Sequence, residues 1–129
     1  MKTLFLVEDN QDNADLIRDL LGDDYQMQFF SDGPSALAGL KTAPVLPDLL
    51  LLDISLPGMD GTRLLREIRS QERFKLIPAV ALTAHAMKSD RENLIAAGFN
   101  GYLSKPITDE TLLFETIETY SSHAVRAAA

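Results

Sequence analysis

Three carboxylates, a hydroxyl and an ammonium group stand at or just after the ends of apolar segments in this 129-residue chain. They are Glu8, Asp9, Asp53, Thr83 and Lys105. Carboxylates gathered in one cleft repel each other, and a divalent cation is a natural way to hold them together. Mg²⁺ prefers such oxygen ligands, while lysine and hydroxyl groups suit the oxygens of a phosphoryl group. These residue types therefore favour Mg²⁺-dependent phosphoryl chemistry, provided that the fold brings them together.

The stretch PDLLLLDISLPGMDG, residues 47–61, shows why Asp53 needs an explanation. Four leucines precede it, and such a run is typical of a strand buried on both faces, where a lone carboxylate is unfavourable. A loop containing Pro57 and Gly58 follows at once. We therefore expect the strand to end at the edge of a sheet, with the carboxylate projecting from that edge and not into the core.

Five strand-like segments alternate with five helical patterns along the chain. The predicted strands cover residues 3–7, 26–30, 49–52, 79–82 and 101–103. Ser89 and Glu92 have the spacing of a capping box at the start of the fourth helix. The last helix is predicted to begin at Thr108 and to continue through Tyr120, and the residues from Ser121 onward read as a loose tail.

Strands that alternate with helices predict a doubly wound α/β fold, with one parallel sheet and helices on both of its faces. In such a sheet all the strands end at the same edge, which is where ligands of this architecture bind. The five polar residues named above follow strands one, three, four and five. We therefore expect them to converge on one cleft.

Composition narrows the class of protein further. Hydrophobic residues make up 46% and charged residues 24% of the chain, as expected for one globular domain, which we place at residues 1–121 with a short tail at 122–129. The absence of cysteine excludes disulfides and thiolate metal sites. A net charge of −7 argues against nucleic acid as a partner. With neither a signal peptide nor an apolar stretch long enough to span a membrane, the expected location is cytoplasmic.

Four stretches resemble the receiver domains of two-component response regulators. They are LVEDN at 6–10, LLLLDISLPGMDG at 49–61, ALTAHAM at 81–87 and GYLSKPI at 101–107. The resemblance spans residue 3 to about residue 121, and it extends both to stand-alone receivers of the cell-division type and to receivers of hybrid histidine kinases. It implies a flavodoxin-like sheet with the strand order 2-1-3-4-5.

The resemblance also implies a role for each residue at the cleft. Asp53 corresponds to the phosphoacceptor, and Lys105 to the lysine that binds the phosphoryl oxygens. Asp9 and Asp53 would bind Mg²⁺ (or Mn²⁺) directly, together with the backbone carbonyl of Ser55. Glu8 stands where many relatives have aspartate, and it would reach the ion through a bound water.

Two further residues correspond to the family's switch. Thr83 would turn its hydroxyl toward the phosphoryl group, and Tyr102 would then change its burial. The peptide bond before Pro106 is cis in many relatives. His85, two residues after Thr83, is a candidate for tuning the attack of water on the acyl phosphate.

The function implied is that of a phosphoacceptor in a phosphorelay, a signalling domain and not an enzyme, although it assists its own phosphorylation and dephosphorylation. The donor would be a histidine kinase or a histidine phosphotransfer protein, and the output would be a protein contact made by helix four, strand five and helix five. The chain would be a monomer or a phosphorylation-promoted dimer, without direct contact to nucleic acid or membrane. Two alternatives stay open: an interaction module that works without phosphorylation, and a receiver excised from a hybrid histidine kinase.

Overall fold

Strands and helices alternate along the chain in the computed structural model, which describes the backbone of residues 2–84 and 87–128 and the side chains of residues 2–84 and 87–121. Among the described residues, a short 3₁₀ turn covers Glu72–Phe74. The other elements are β1 (Thr3–Val7), α1 (Gln11–Leu21), β2 (Gln26–Phe30), α2 (Gly33–Thr42), β3 (Leu49–Asp53), α3 (Gly61–Arg69), β4 (Ala79–Thr83), α4 (Lys88–Ala96), β5 (Gly101–Ser104) and α5 (Glu110–Ala128).

The five strands form one parallel sheet in the order β2-β1-β3-β4-β5. This confirms the predicted fold class and strand order. The leucine run of β3 is divided between two apolar layers: Leu50 and Leu52 pack with α2, α3 and α4 on one face. Leu49 and Leu51 pack with α1 and α5 on the other face. Burial on both faces explains why the run does not alternate with polar residues.

Three strands are one residue longer than the sequence predicted, because their last residues still pair with a neighbour. Asp53 is paired with Leu82, and Thr83 is paired with Ser104. The backbone N–H of Ile54 then donates to the carbonyl of Leu82 at 3.1 Å. Asp53 and Thr83 are therefore the last residues of β3 and β4, which makes their positions more rigid than those of loop residues.

The predicted start of α4 is wrong. The helix begins at Lys88, with Met87 at the N-cap and with no hydrogen bond from a capping side chain among the described residues. Ser89 lies inside the first turn, so it does not cap the helix. Glu92 is likewise inside the helix, and the spacing of a capping box was therefore misleading here.

The bounds of α5 also differ from the prediction. The carboxylate of Asp109 accepts the backbone N–H of Leu112 at 3.0 Å, so Asp109 caps the helix instead of lying in its first turn. The helix continues to Ala128, and the expectation of a loose backbone from Ser121 is wrong.

The division of the chain at residues 121 and 122 stays a prediction. No helix in the described part of the chain is long and apolar enough to cross a bilayer.

Candidate functional site

The carboxyl ends of β1, β3 and β5 bring Glu8, Asp53 and Lys105 together. Glu8 and Asp53 are almost fully buried, with exposed fractions of 4% and 2%. The Lys105 ammonium lies 3.0 Å from Asp53 Oδ2 and 3.2 Å from Glu8 Oε1. Lys105 therefore bridges two buried carboxylates, and its positive charge offsets the cost of burying them.

Asp9 completes an acidic cluster with Glu8 and Asp53. Each of the three offers a carboxylate oxygen, and these oxygens lie within 4.8 Å of one another. Asp9 is exposed, whereas Glu8 Oε2 is buried and has no hydrogen-bond partner among the described residues. Three hard oxygen donors and one buried oxygen without a partner fit a divalent cation such as Mg²⁺.

Burial and mutual contact shift the pKa values of this cluster in opposite directions. Burial, with a hydrogen bond to Asp53, raises the pKa of Glu8 to about 7. Burial also acts to raise the pKa of Asp53, but hydrogen bonds from Glu8, Lys105 and the Ser55 backbone outweigh it and lower that pKa. Of the two buried carboxyls, Glu8 therefore takes up a proton more readily than Asp53.

Lys105 stays charged in this environment. Burial alone would lower its pKa, but the contacts with Asp53 and Glu8 outweigh that effect and raise the pKa above its ordinary value. A permanent ammonium beside an ionised carboxylate is suited to the oxygens of a phosphoryl group.

The loop after β3 folds back over Asp53. The N–H of Ser55 donates to Asp53 Oδ1 at 3.0 Å, and the N–H of Gly61 donates to the carbonyl of Ile54 at 3.0 Å. A Cβ at position 61 would lie 2.3 Å from the backbone oxygen of Asp53, so only glycine allows this approach. Gly58 turns the loop with a φ of 76°. The loop thus fixes the Asp53 carboxylate, while the Ser55 carbonyl as a metal ligand stays a prediction.

Thr83 and Tyr102 lie on the neighbouring strands β4 and β5. Thr83 is buried at the end of its strand, and its carbonyl accepts the backbone N–H of Lys105 at 2.8 Å. Tyr102 is half-buried and packs with the apolar layer of α2, α3 and α4. Its phenol oxygen accepts a hydrogen bond of 3.1 Å from Arg91, whose guanidinium carbon is 5.9 Å from the ring centre. The Lys105–Pro106 peptide bond is cis, as predicted.

Sequence reasoning missed two residues that contact this group and its neighbours. Asn13 donates from its side-chain amide to Glu8 Oε1 at 2.7 Å. Arg91 binds Tyr102 across α4 and β5. The only sequence signal for Asn13 was its place in the first turn of a helix that follows Glu8. Arg91 gave none, because arginine on an exposed helix face is ordinary. His85 lies outside the described residues.

A family profile described as the response regulator receiver domain matches residues 4–117. The chain belongs to this family. It is therefore a receiver domain of two-component signalling. Phosphorylation and Mg²⁺ binding are typical of this family.

Relatives of two kinds resemble this receiver. The signal transduction histidine-protein kinase BarA of Escherichia coli K12 is 40% identical over 111 residues, which cover 85% of the chain. The chain spans only 12% of the length of that kinase. The polar-differentiation response regulator DivK of Brucella abortus is 36% identical over 124 residues, covering 95% of this chain and 98% of DivK. Both expected kinds of receiver, hybrid-kinase and stand-alone, are therefore confirmed as relatives.

A solved structure agrees with the fold and bears on the metal. The receiver domain of a sensor histidine kinase from Pseudomonas aeruginosa PAO1 has 35% sequence identity and a TM-score of 0.83, covering 94% of this chain and 98% of that domain. That structure has a magnesium ion coordinated in its active-site cleft. The acidic cluster described above offers carboxylate oxygens, which are the kind of ligand that such an ion prefers.

Proposed function

We propose that the receiver accepts a phosphoryl group on Asp53 in a Mg²⁺-dependent reaction and transmits the change to the surface formed by α4, β5 and the start of α5. The observation that carries the proposal is the buried Asp53 carboxylate held 3.0 Å from the Lys105 ammonium, beside two further carboxylates. A structural aspartate at a strand end needs neither of these neighbours.

The reaction requires little covalent chemistry from the protein. An oxygen of Asp53 attacks phosphorus while the bond from phosphorus to the donor's histidine nitrogen breaks, and that nitrogen keeps the electron pair. Such transfers are catalysed mainly by alignment and by neutralising the phosphoryl oxygens. Lys105 supplies one positive charge, and the hydrogen bond from Ser55 orients the attacking carboxylate.

Mg²⁺, when bound, neutralises further negative charge on the transferred group. Asp9, Asp53 and the Ser55 carbonyl would hold it directly, and Glu8 would act through water. The acidic cluster supports this assignment, because its oxygens are the ligands that Mg²⁺ prefers. Mn²⁺, which takes similar ligands, would serve in its place.

Phosphorylation supplies enough free energy to operate a switch. The phosphoryl group brings about two negative charges and makes one to three charge-assisted hydrogen bonds. Each is worth about 1.5 to 3 kcal/mol. A shift between two states from 1:99 to 99:1 requires about 5.5 kcal/mol, which two contacts of about 3 kcal/mol or three of about 2 kcal/mol supply.

The switch would run from Thr83 to Tyr102. The Thr83 hydroxyl would bind the phosphoryl group, and Tyr102 would change its burial on the neighbouring strand. The partners of the domain are then a histidine kinase or histidine phosphotransfer protein as donor and a protein that reads the altered surface. The similarity to BarA allows the same domain to act as one module of a hybrid kinase.

Acetyl phosphate and beryllofluoride test the proposal without a protein donor. With Mg²⁺ and acetyl phosphate, the wild type is expected to gain the mass of one phosphoryl group, whereas Asp53→Asn gains none. With beryllofluoride, amide resonances of residues 53, 83 and 102 should shift in the wild type alone. Asp12→Asn, which removes an exposed carboxylate of α1, is the matched control and should behave as the wild type. An equal response from wild type and Asp53→Asn would refute the proposal.

A further inference from the structure

We infer that Asn13 positions Glu8 for the cation by holding one oxygen of its carboxylate and leaving the other available. The inference rests on the Mg²⁺-dependent function proposed above, and it adds a residue outside the acidic cluster. Asn13 is a positioning residue, because it acts through Glu8 and offers no carboxylate of its own.

The hydrogen bonds of Glu8 are unequally divided between its two oxygens. Oε1 accepts from the Asn13 amide at 2.7 Å and from the Lys105 ammonium at 3.2 Å. Oε2 is buried and accepts from none of the described side chains. Buried polar atoms are normally paired. Oε2 accepts no N–H or O–H from the described residues, so apart from a proton shared with Asp53 its natural partner is a cation held by the acidic cluster. The two donors on Oε1 fix the plane of the carboxylate and thereby the place of Oε2.

The first turn of α1 leaves the Asn13 side chain free to donate its hydrogen bond to Glu8. Asn10 caps the helix, and its side-chain oxygen accepts the backbone N–H of Asn13 at 3.1 Å. Asn13 is the third helical residue, the position from which a side chain commonly turns back to the backbone of the cap. Here the side chain instead reaches Glu8, five residues earlier in the chain.

A glutamate needs this restraint more than an aspartate would. Glu8 has one more rotatable bond than aspartate, so fixing its carboxylate costs more conformational entropy. With a side chain of this size at position 13, water cannot easily replace the amide donor. The cavity that Glu8, Asn13 and Lys105 line has a volume of about 10 Å³, at the lower limit for holding one water molecule.

Mn²⁺ binding, followed by the electron paramagnetic resonance signal of the free ion, tests the inference without any phosphorylation. Asn13→Leu preserves the branched shape and removes the donor, and its Mn²⁺ dissociation constant is expected to rise about tenfold, as when a group that orients a ligand is lost. Asn13→Ser, whose hydroxyl is too short to reach Glu8, should also lose affinity, but less than Asn13→Leu, because it leaves room for a bridging water. Asn13→Gln retains an amide donor and should recover part of the affinity.

Two controls separate this role from a general contribution to stability. Gln11→Leu changes an exposed residue of the same turn, which bonds only to Asp15 among the described residues, and should leave the dissociation constant unchanged. In a Glu8→Asp background, Asn13→Leu should change the constant by less than about twofold, because the side chain that Asn13 restrains is gone.

The possible results distinguish this inference from the proposed function. If Asn13→Leu and Asn13→Ser bind Mn²⁺ as tightly as the wild type, the inference is wrong and the proposed function stands. If the loss is equally large in the Glu8→Asp background, Asn13 does not act through Glu8, and the inference is again wrong. If the wild type binds Mn²⁺ no better than Asp9→Asn, the proposed metal site fails, and the inference fails with it.

Discussion

The acidic cleft and the surface around α4 differ in how many contacts fix their side chains and helix ends. At the cleft, Asp53 is buried and contacts Lys105, and α1 beside it is capped by the Asn10 side chain. At the other surface, α4 starts from Met87, which is 73% exposed and provides no capping side chain. Among the described side chains of α4, only Leu94 is buried.

This difference suits the two tasks proposed for the regions. Charges that are fixed before a reaction need no reorganisation when a phosphoryl group arrives, which lowers the barrier to transfer. A surface that must change shape should instead be held by few contacts, so that the free energy from a few hydrogen bonds can move it.

The lack of stabilising contacts around α4 concerns its N-terminal end. At the other end, Arg69 donates to the carbonyl of Gly98 and to the side chain of Asn100, each at 3.3 Å. The Asn100 side chain also accepts the backbone N–H of Ala79 at 2.9 Å. These contacts fasten the segment that follows α4 to α3 and to the start of β4. We therefore expect the first turn of α4 to move more easily than the last.

Removing the positive charge of Lys105 from the cleft should have the largest effect of the three changes, and this effect is on the rate of phosphorylation. Lys105→Met is expected to lower the rate of labelling by acetyl phosphate about 100-fold, because a fixed charge on the phosphoryl oxygens is lost. Single-turnover kinetics at saturating Mg²⁺ measure this rate. Lys75→Met removes a surface lysine that pairs with Glu72, and it should leave the rate unchanged. Equal rates for wild type and Lys105→Met would show that the cleft does not depend on its ammonium group.

Adding an N-cap to α4 should make its first turn more like the rigid cleft, and we expect this effect to be smaller than that of removing the Lys105 charge. Met87→Asp places a carboxylate at the N-cap, where it can accept backbone N–H groups, and should raise the free energy of unfolding by about 1 kcal/mol. Urea denaturation measures this change, and amide hydrogen exchange of residues 88–91 should slow. Met87→Ala is the control and should give no such gain. Unchanged exchange in Met87→Asp would mean that the first turn of α4 is already held by other contacts.

Removing the contact between Arg91 and Tyr102 should have the smallest effect, a change in the beryllofluoride concentration that gives half of the response. Exposed cation–π pairs are worth about 0.5 to 1 kcal/mol, so Arg91→Ala should lower the beryllofluoride concentration at half-response about threefold if Arg91 restrains Tyr102 in the unphosphorylated state. Amide shifts of residue 102 report the response. Tyr102→Phe keeps the ring and loses the hydrogen bond, so it should show part of the effect. If the beryllofluoride concentration at half-response rises in Arg91→Ala, the contact stabilises the phosphorylated state and not the unphosphorylated one.

Much of the fold and of the cleft could be predicted from local patterns. The leucine run before Asp53 predicted a strand buried on both faces, and the alternation of strands and helices predicted a parallel sheet. Since parallel strands end at one edge, Glu8, Asp53 and Lys105 could be placed together before any coordinates were known. The helix ends were less predictable, because the capping spacing of Ser89 and Glu92 competes with packing that only the folded chain provides.

Strand periodicity and chain direction dictate where each strand ends, so local sequence already decides which chemical groups reach the edge of the sheet. The tertiary structure alone decided how those groups are paired. The hydrogen bonds of Asn13 with Glu8 and of Arg91 with Tyr102 depend on where α1 and α4 lie against the sheet, and residue spacing does not encode that packing. The unequal pKa values of Glu8 and Asp53 likewise arise from burial and mutual distance, which exist only in the folded protein.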